Sequence, residues 1–209
     1  MTTQEKNGIT EGVIWKQLLI FFFPILVGSF FQQLYNTVDS VIVGQFVGKE
    51  ALSSVGGSAG QIISLVVGFF TGVSTGATVI ISQYFGAGKK EEIEESLHTA
   101  YAFALVGGLV LGIAGIVFAP QMLLWMNTPE ELIAESVLYV RVYFSGLIFI
   151  FIYNMGAAIL RAVGDSKRPL YYLIVCSVVN IILDLLLILV IPLGVLGAAI
   201  ATLIAQAVS

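Results

Sequence analysis

The chain has 209 residues, 58% of them hydrophobic and 11% charged, at a mean hydropathy of +0.99. That balance excludes an ordinary water-soluble domain and identifies an integral membrane protein. The formal charge of −4 says little as a total, because charge in such a chain is confined to loops and a few special positions. No basic stripe of the kind that binds nucleic acid is visible.

A membrane-spanning helix needs about 20 apolar residues. The sequence predicts an all-α polytopic helical bundle. A cytoplasmic N-terminal segment over 1–14 precedes helices near 15–43, 52–84, 95–126, 133–160 and 169–191, and a sixth starts near 196. The first apolar segment is too long, and its flank too mixed in charge, for a cleavable signal. It contains Pro24, which removes a donor inside the helix and predicts a kink that could act as a hinge. In the second helix Gly68, Gly72 and Gly76, with Ser64 extending the row, predict close approach by another helix.

The stretch KKEEIEE at 89–95 reads as a solvated turn and helix start, with His98 near the interface behind it. Gly108 and Gly112 in the third helix predict a second packing row. Cys176 stands alone in an apolar helix, so there is no disulfide framework and no cysteine metal site. From Leu196 to Ser209 the sixth helix would rise about 21 Å, short of a hydrocarbon core of about 30 Å, so it is expected to be truncated. Lys6, Lys16, Lys89, Lys90, Arg161, Lys167 and Arg168 fall on one side. Lys49 and the acidic turn with Glu130, Glu131 and Glu135 fall on the other, which places the N-terminus in the cytoplasm.

Asp39 and Asp184 are the most informative residues, because each sits in a long apolar stretch where a carboxylate persists only beside a cavity, a partner or an ion. Gln32, Tyr35, Asn36 and Asp39 fall at i, i+3, i+4 and i+7, one helical face, with Ser29 extending it. Ser177, Asn180 and Asp184 form a second stripe, and Thr202 with Gln206 a third. Unsatisfied polar groups are expensive in lipid, so the three stripes are expected to face a common interior. Counting from the outer loops, Asp39, Asp184 and Thr202 lie at a similar depth of about 10 to 14 Å. Two carboxylates, an amide oxygen and a hydroxyl suit a small hard cation. The same pair could instead hold a proton, since two close, poorly solvated carboxylates resist joint ionisation.

A family comes into view in QQLYNTVDSVIVGQFVGKEALSSVG after Pro24, ISQYFGAG at 81–88 and LRAVGDSKRPLYY at 160–172. VNIILDLLLI at 179–188 and PLGVLGAAIATLIAQ at 192–206 complete the pattern. Together they resemble the multidrug and toxic compound extrusion transporters over nearly the whole chain, in the DNA-damage-inducible and archaeal type. The resemblance implies the N-terminal six-helix lobe of a twelve-helix fold, with a C-terminal lobe missing in cis. It also implies export of amphipathic, cationic small molecules across the plasma (inner) membrane in exchange for inward Na⁺ or H⁺, with no organic cofactor. The family's cation site falls on Asp39, Asn180, Asp184 and Thr202, which would also hold Na⁺. Gln32, Tyr35 and Asn154 would be substrate-cavity residues, and Pro24 the hinge.

Other classes fit less well. An intramembrane aspartyl protease would need a second membrane aspartate in AVGD at 162–165, yet Asp165 lies in a turn between Arg161 and Lys167–Arg168. No phosphate loop or Ser-His-Asp arrangement is present, so the chain is not read as an enzyme. A lipid-linked oligosaccharide flippase would need a strongly cationic cavity, and the sequence offers only Arg141 near that position. A non-transporting structural membrane subunit would tolerate loss of both aspartate charges.

Overall fold

The computed structural model describes residues 13–209. The expected cytoplasmic segment, with Lys6, lies outside the described residues as far as position 12. Among the described residues the chain is helical throughout, with no strand. Helix α1 (Ile14–Ile42) runs through Pro24 and passes into a π-helical segment, Val43–Val47. A short α2 (Lys49–Gly56) leads into α3 (Ser58–Gly86), and α4 (Lys90–Trp125) follows. Helices α5 (Glu130–Ser145) and α6 (Leu147–Ala162) meet at Gly146. Helix α7 (Lys167–Asp184) passes into a second π-helical segment, Leu185–Val190, and α8 (Val195–Val208) comes last.

Among the described residues four stretches are long and apolar enough to cross a membrane: Trp15–Val47, Lys49–Gly86, Lys90–Trp125 and Lys167–Val190. The α5–α6 pair passes the same test only when its two helices are taken together, across a bend of 50°. The single helix expected near 133–160 is therefore two helices meeting at an elbow. Gly146 permits it, since a Cβ there would stand 3.0 Å from the Leu203 side chain of α8. The helix expected over 52–84 starts earlier, at Lys49, and is interrupted at Gly57, where a Cβ would meet the Ser53 carbonyl oxygen. The third helix also begins early, at Lys90 rather than 95. Glu91 and Glu92 occupy its first turn, where carboxylates favour the positive helix end, and Lys89 pairs with Glu92 at 3.2 Å.

The elbow nests on the glycines of α4. A Cβ at Gly108 would come within 2.8 Å of Ile148 Cα, one at Gly112 within 2.9 Å of the Phe144 carbonyl oxygen, and one at Gly115 would enter the Phe144 ring. Only a backbone without side chains admits α5 and α6 this closely. Beside this contact, next to Gly107 of α4, the rings of Phe70 and Phe151 stack with centroids 3.6 Å apart, locking α3 to α6. Helix α1 packs mainly on α7, and α8 lies between α5 and α7.

The glycine row of α3 behaves differently from expectation. A Cβ at Gly68, Gly72 or Gly76 meets nothing within 4 Å, so no described helix of this chain uses that row.

Candidate ion and substrate site

Helices α1, α3, α5, α6, α7 and α8 enclose a cavity of about 710 Å³. That volume falls within the range of drug-sized binding sites. The polar stripe of α1 supplies Gln32, Tyr35, Asn36 and Asp39 to its wall, with Pro24 at one end of the same helix. Asn154 comes from α6, and Thr202 and Gln206 from α8. Asn154 is held in place by donating its Nδ2 to the Ile150 carbonyl oxygen at 2.8 Å.

Asn180 and Asp184 are fully buried and lie behind this wall rather than in it. The Asp184 carboxylate approaches that of Asp39 within hydrogen-bonding reach, across the α1–α7 contact. No described residue donates to either carboxyl oxygen of Asp184, to Asp39 Oδ1, or engages the Asn180 amide. Buried polar atoms without partners are rare in native proteins, because each forfeits its hydration. Two adjacent carboxylates compound the problem, since neither can donate to the other unless one carries a proton. A proton, or a hard cation taking oxygens from Asp39, Asp184 and Asn180, would resolve it; Thr202 is a cavity-wall residue.

Backbone geometry points to the same place. One π-helical segment begins four residues after Asp39, the other directly after Asp184, and the two touch. Such wide turns interrupt the regular hydrogen-bond ladder and concentrate at functional positions.

Several cavity residues lie outside the stripes read from the sequence. Tyr139 and Tyr143 of α5 and Tyr153 of α6 line the wall, with the Tyr139 and Tyr143 rings 6.2 Å apart. Tyr35 and Tyr139 stand within electrostatic reach of both carboxylates. Arg161 also lines the cavity, whereas Arg141, the expected basic cavity residue, does not. Arg141 instead donates from Nε to the Ile116 carbonyl oxygen of α4 at 3.2 Å. Ile116 is the carbonyl that would bond the N–H of residue 120, and Pro120 has none.

A family model described as MatE matches residues 24–186. The chain belongs to the MatE family. Among MatE relatives, the probable multidrug resistance protein YoeA of Bacillus subtilis (strain 168) is 33% identical over 208 residues, covering 98% of this chain and 44% of that protein. A solved MATE family multidrug resistance transporter in an outward-facing conformation superposes with a TM-score of 0.91 at 27% identity, over 99% of this chain and 45% of that one. A MATE protein in a bent conformation superposes at 0.90 and 27% identity, over 99% and 46% of the two chains. This MatE chain thus spans less than half the length of these relatives, and the fold it shares with them is one lobe.

Proposed function

We propose that the chain forms the first lobe of a secondary transporter that exports amphipathic molecules across the plasma membrane in exchange for inward Na⁺ or H⁺. The observation that carries this reading is the pair of donor-starved carboxylates, Asp39 and Asp184, set against a drug-sized cavity. A second lobe in cis, of the length by which the relatives exceed this chain, would complete the central cleft. The end bearing Lys89, Lys90, Arg161, Lys167 and Arg168 faces the cytoplasm in this reading, following the excess of basic residues there.

In this scheme Asp39, exposed to the cavity, attracts the positive part of a substrate while Asp184 and Asn180 hold the pair from behind. Arrival of one Na⁺ or proton cancels one of the pair's two negative charges, weakens that attraction and favours release outward. A coupling of about 1 to 3 kcal/mol gives severalfold to hundredfold changes in affinity. Pro24, at the end of the cavity away from Asp39, leaves the Ile20 carbonyl without its helical donor, so α1 can bend there as the two ligands alternate. That a relative has been captured in a bent conformation supports this role. A lipid-linked oligosaccharide flippase is disfavoured, because a single arginine lines the cavity.

The test is ethidium efflux from cells expressing the complete natural reading frame, under imposed Na⁺ or pH gradients. Asp39→Asn and Asp184→Asn should insert normally and lose gradient-driven efflux. Full efflux in both variants would refute the coupling role and favour a structural part for the aspartates.

A further inference from the structure

The cavity is dipolar. Among the described residues that line it, Asp39 carries the one negative charge and Arg161 the one positive charge. They occupy opposite ends. On α1 the wall runs from Pro24 to Asp39, 15 residues apart or about 22 Å of helix rise, and Arg161 belongs to the Pro24 end. There it also lines a side pocket of about 200 Å³ with Phe21 and Ile25.

Among the described residues the Arg161 guanidinium has no ion-pair or hydrogen-bond partner. The ion pairs among the described residues are Lys89–Glu92 and Arg168–Asp165. Asp165, the carboxylate nearest to Arg161 in sequence, also accepts from the backbone N–H groups of Lys167 and Arg168 at 3.1 Å. The surrounding hydroxyls do not compete as donors. Thr71, Ser74, Thr75 and Thr78 each donate to the carbonyl one turn back on α3, at 2.8, 3.0, 2.9 and 3.0 Å respectively. Tyr153 donates to the Pro169 carbonyl oxygen at 3.4 Å, and the Asn154 amide to Ile150. Arg161 is left as the strong donor at this end, and a planar guanidinium is suited to a carboxylate, which it can grip with two parallel bonds.

We infer that the cavity selects elongated zwitterionic amphiphiles, with an ammonium toward Asp39 and a carboxylate on Arg161, over plain cations of the same shape. This rests on the reading that the cavity holds the transported molecule. A plain cation gains Asp39 and meets repulsion from Arg161, whereas a zwitterion of matching length satisfies both ends in a medium where charges are weakly screened.

The probes are 12-aminododecanoic acid, a long zwitterion, and its methyl ester, a cation of the same length. Each displaces ethidium from the protein, expressed from its complete natural reading frame and held in phosphatidylcholine nanodiscs. The readout is the ratio of half-displacing concentrations, acid to ester. Comparing that ratio between wild type and variants cancels bilayer partitioning. In Arg161→Gln the acid should weaken by at least about tenfold, while the ester, relieved of repulsion, binds somewhat more tightly. Arg161→Lys keeps the charge and should retain most of the discrimination. An unchanged ratio in Arg161→Gln, with ethidium still bound, overturns the inference alone. If ethidium does not bind the wild type at all, the cavity reading beneath it falls as well.

Discussion

The Nε of Arg141 donates to the carbonyl oxygen of Ile116 at 3.2 Å, supplying from α5 the hydrogen bond that Pro120 cannot supply within α4. One residue thereby repairs the break in α4 and fastens it to the helix that carries Tyr139 and Tyr143 to the cavity. Arg141→Met should reduce stability by about 1 kcal/mol, the scale of an interhelical hydrogen bond in a membrane. Pro120→Ala restores the N–H, so the loss from Arg141→Met should shrink in that background. Thermal unfolding of the four proteins of this double-mutant cycle, in nanodiscs, gives the coupling directly. Additive losses would show that the two residues do not share the Ile116 carbonyl.

The two glycine rows make opposite predictions. Gly115→Ala drives a methyl into the Phe144 ring, and overpacking of this kind costs about 1 to 3 kcal/mol, a fall of several degrees in unfolding midpoint. Gly72→Ala places its methyl in open space within this chain and should leave the midpoint unchanged or raise it. A clear fall at Gly72 in the protein made from its complete reading frame would place a helix from beyond this chain on the α3 row.

Asp184→Asn tests the donor-starved pair without any transport assay. Removing one charge relieves the repulsion with Asp39, so in Na⁺-free buffer at neutral pH the variant should unfold at a higher temperature than the wild type. A ligand that binds only the folded state stabilises it by mass action. The wild-type midpoint should therefore rise with added Na⁺ or with falling pH, whichever ion is used, and the variant's should stay flat. An equal response in both would place the ion elsewhere.

Pro24→Ala returns a donor to the Ile20 carbonyl and stiffens α1. Efflux should slow severalfold while equilibrium binding of ethidium stays within about twofold, because the substitution alters the bending of the wall more than its chemistry. Loss of binding as great as the loss of efflux would make Pro24 a contact residue rather than a hinge.

Much of the architecture was legible because membrane helices announce themselves by long apolar runs. The i, i+3, i+4, i+7 spacing put Gln32, Tyr35, Asn36 and Asp39 on one face, and that face lines the cavity. Periodicity reports which residues share a face, however, and not what stands opposite. Asn180 and Asp184 share a face too, yet it packs behind the cavity wall. The tyrosines of α5 and α6 were missed because an aromatic ring in an apolar helix looks the same whether it meets lipid or lines a polar chamber. Arg161 read as one more interfacial basic residue, since its sequence neighbours Asp165, Lys167 and Arg168 belong to a turn. The π-helical segments and the elbow at Gly146 leave no trace in composition. A widened turn needs no special residue, and one glycine in an apolar run marks a bend only once Leu203 is seen against it.

In the proposed scheme ion and substrate exclude one another at the Asp39–Asp184 pair. The decisive experiment is ethidium affinity in nanodiscs while Na⁺ and pH are varied, in wild type, Asp39→Asn and Asp184→Asn. The coupling ion should weaken wild-type binding severalfold or more, reciprocally with its own binding, and either substitution should abolish the dependence. An ion dependence that survives intact in both variants would contradict the scheme.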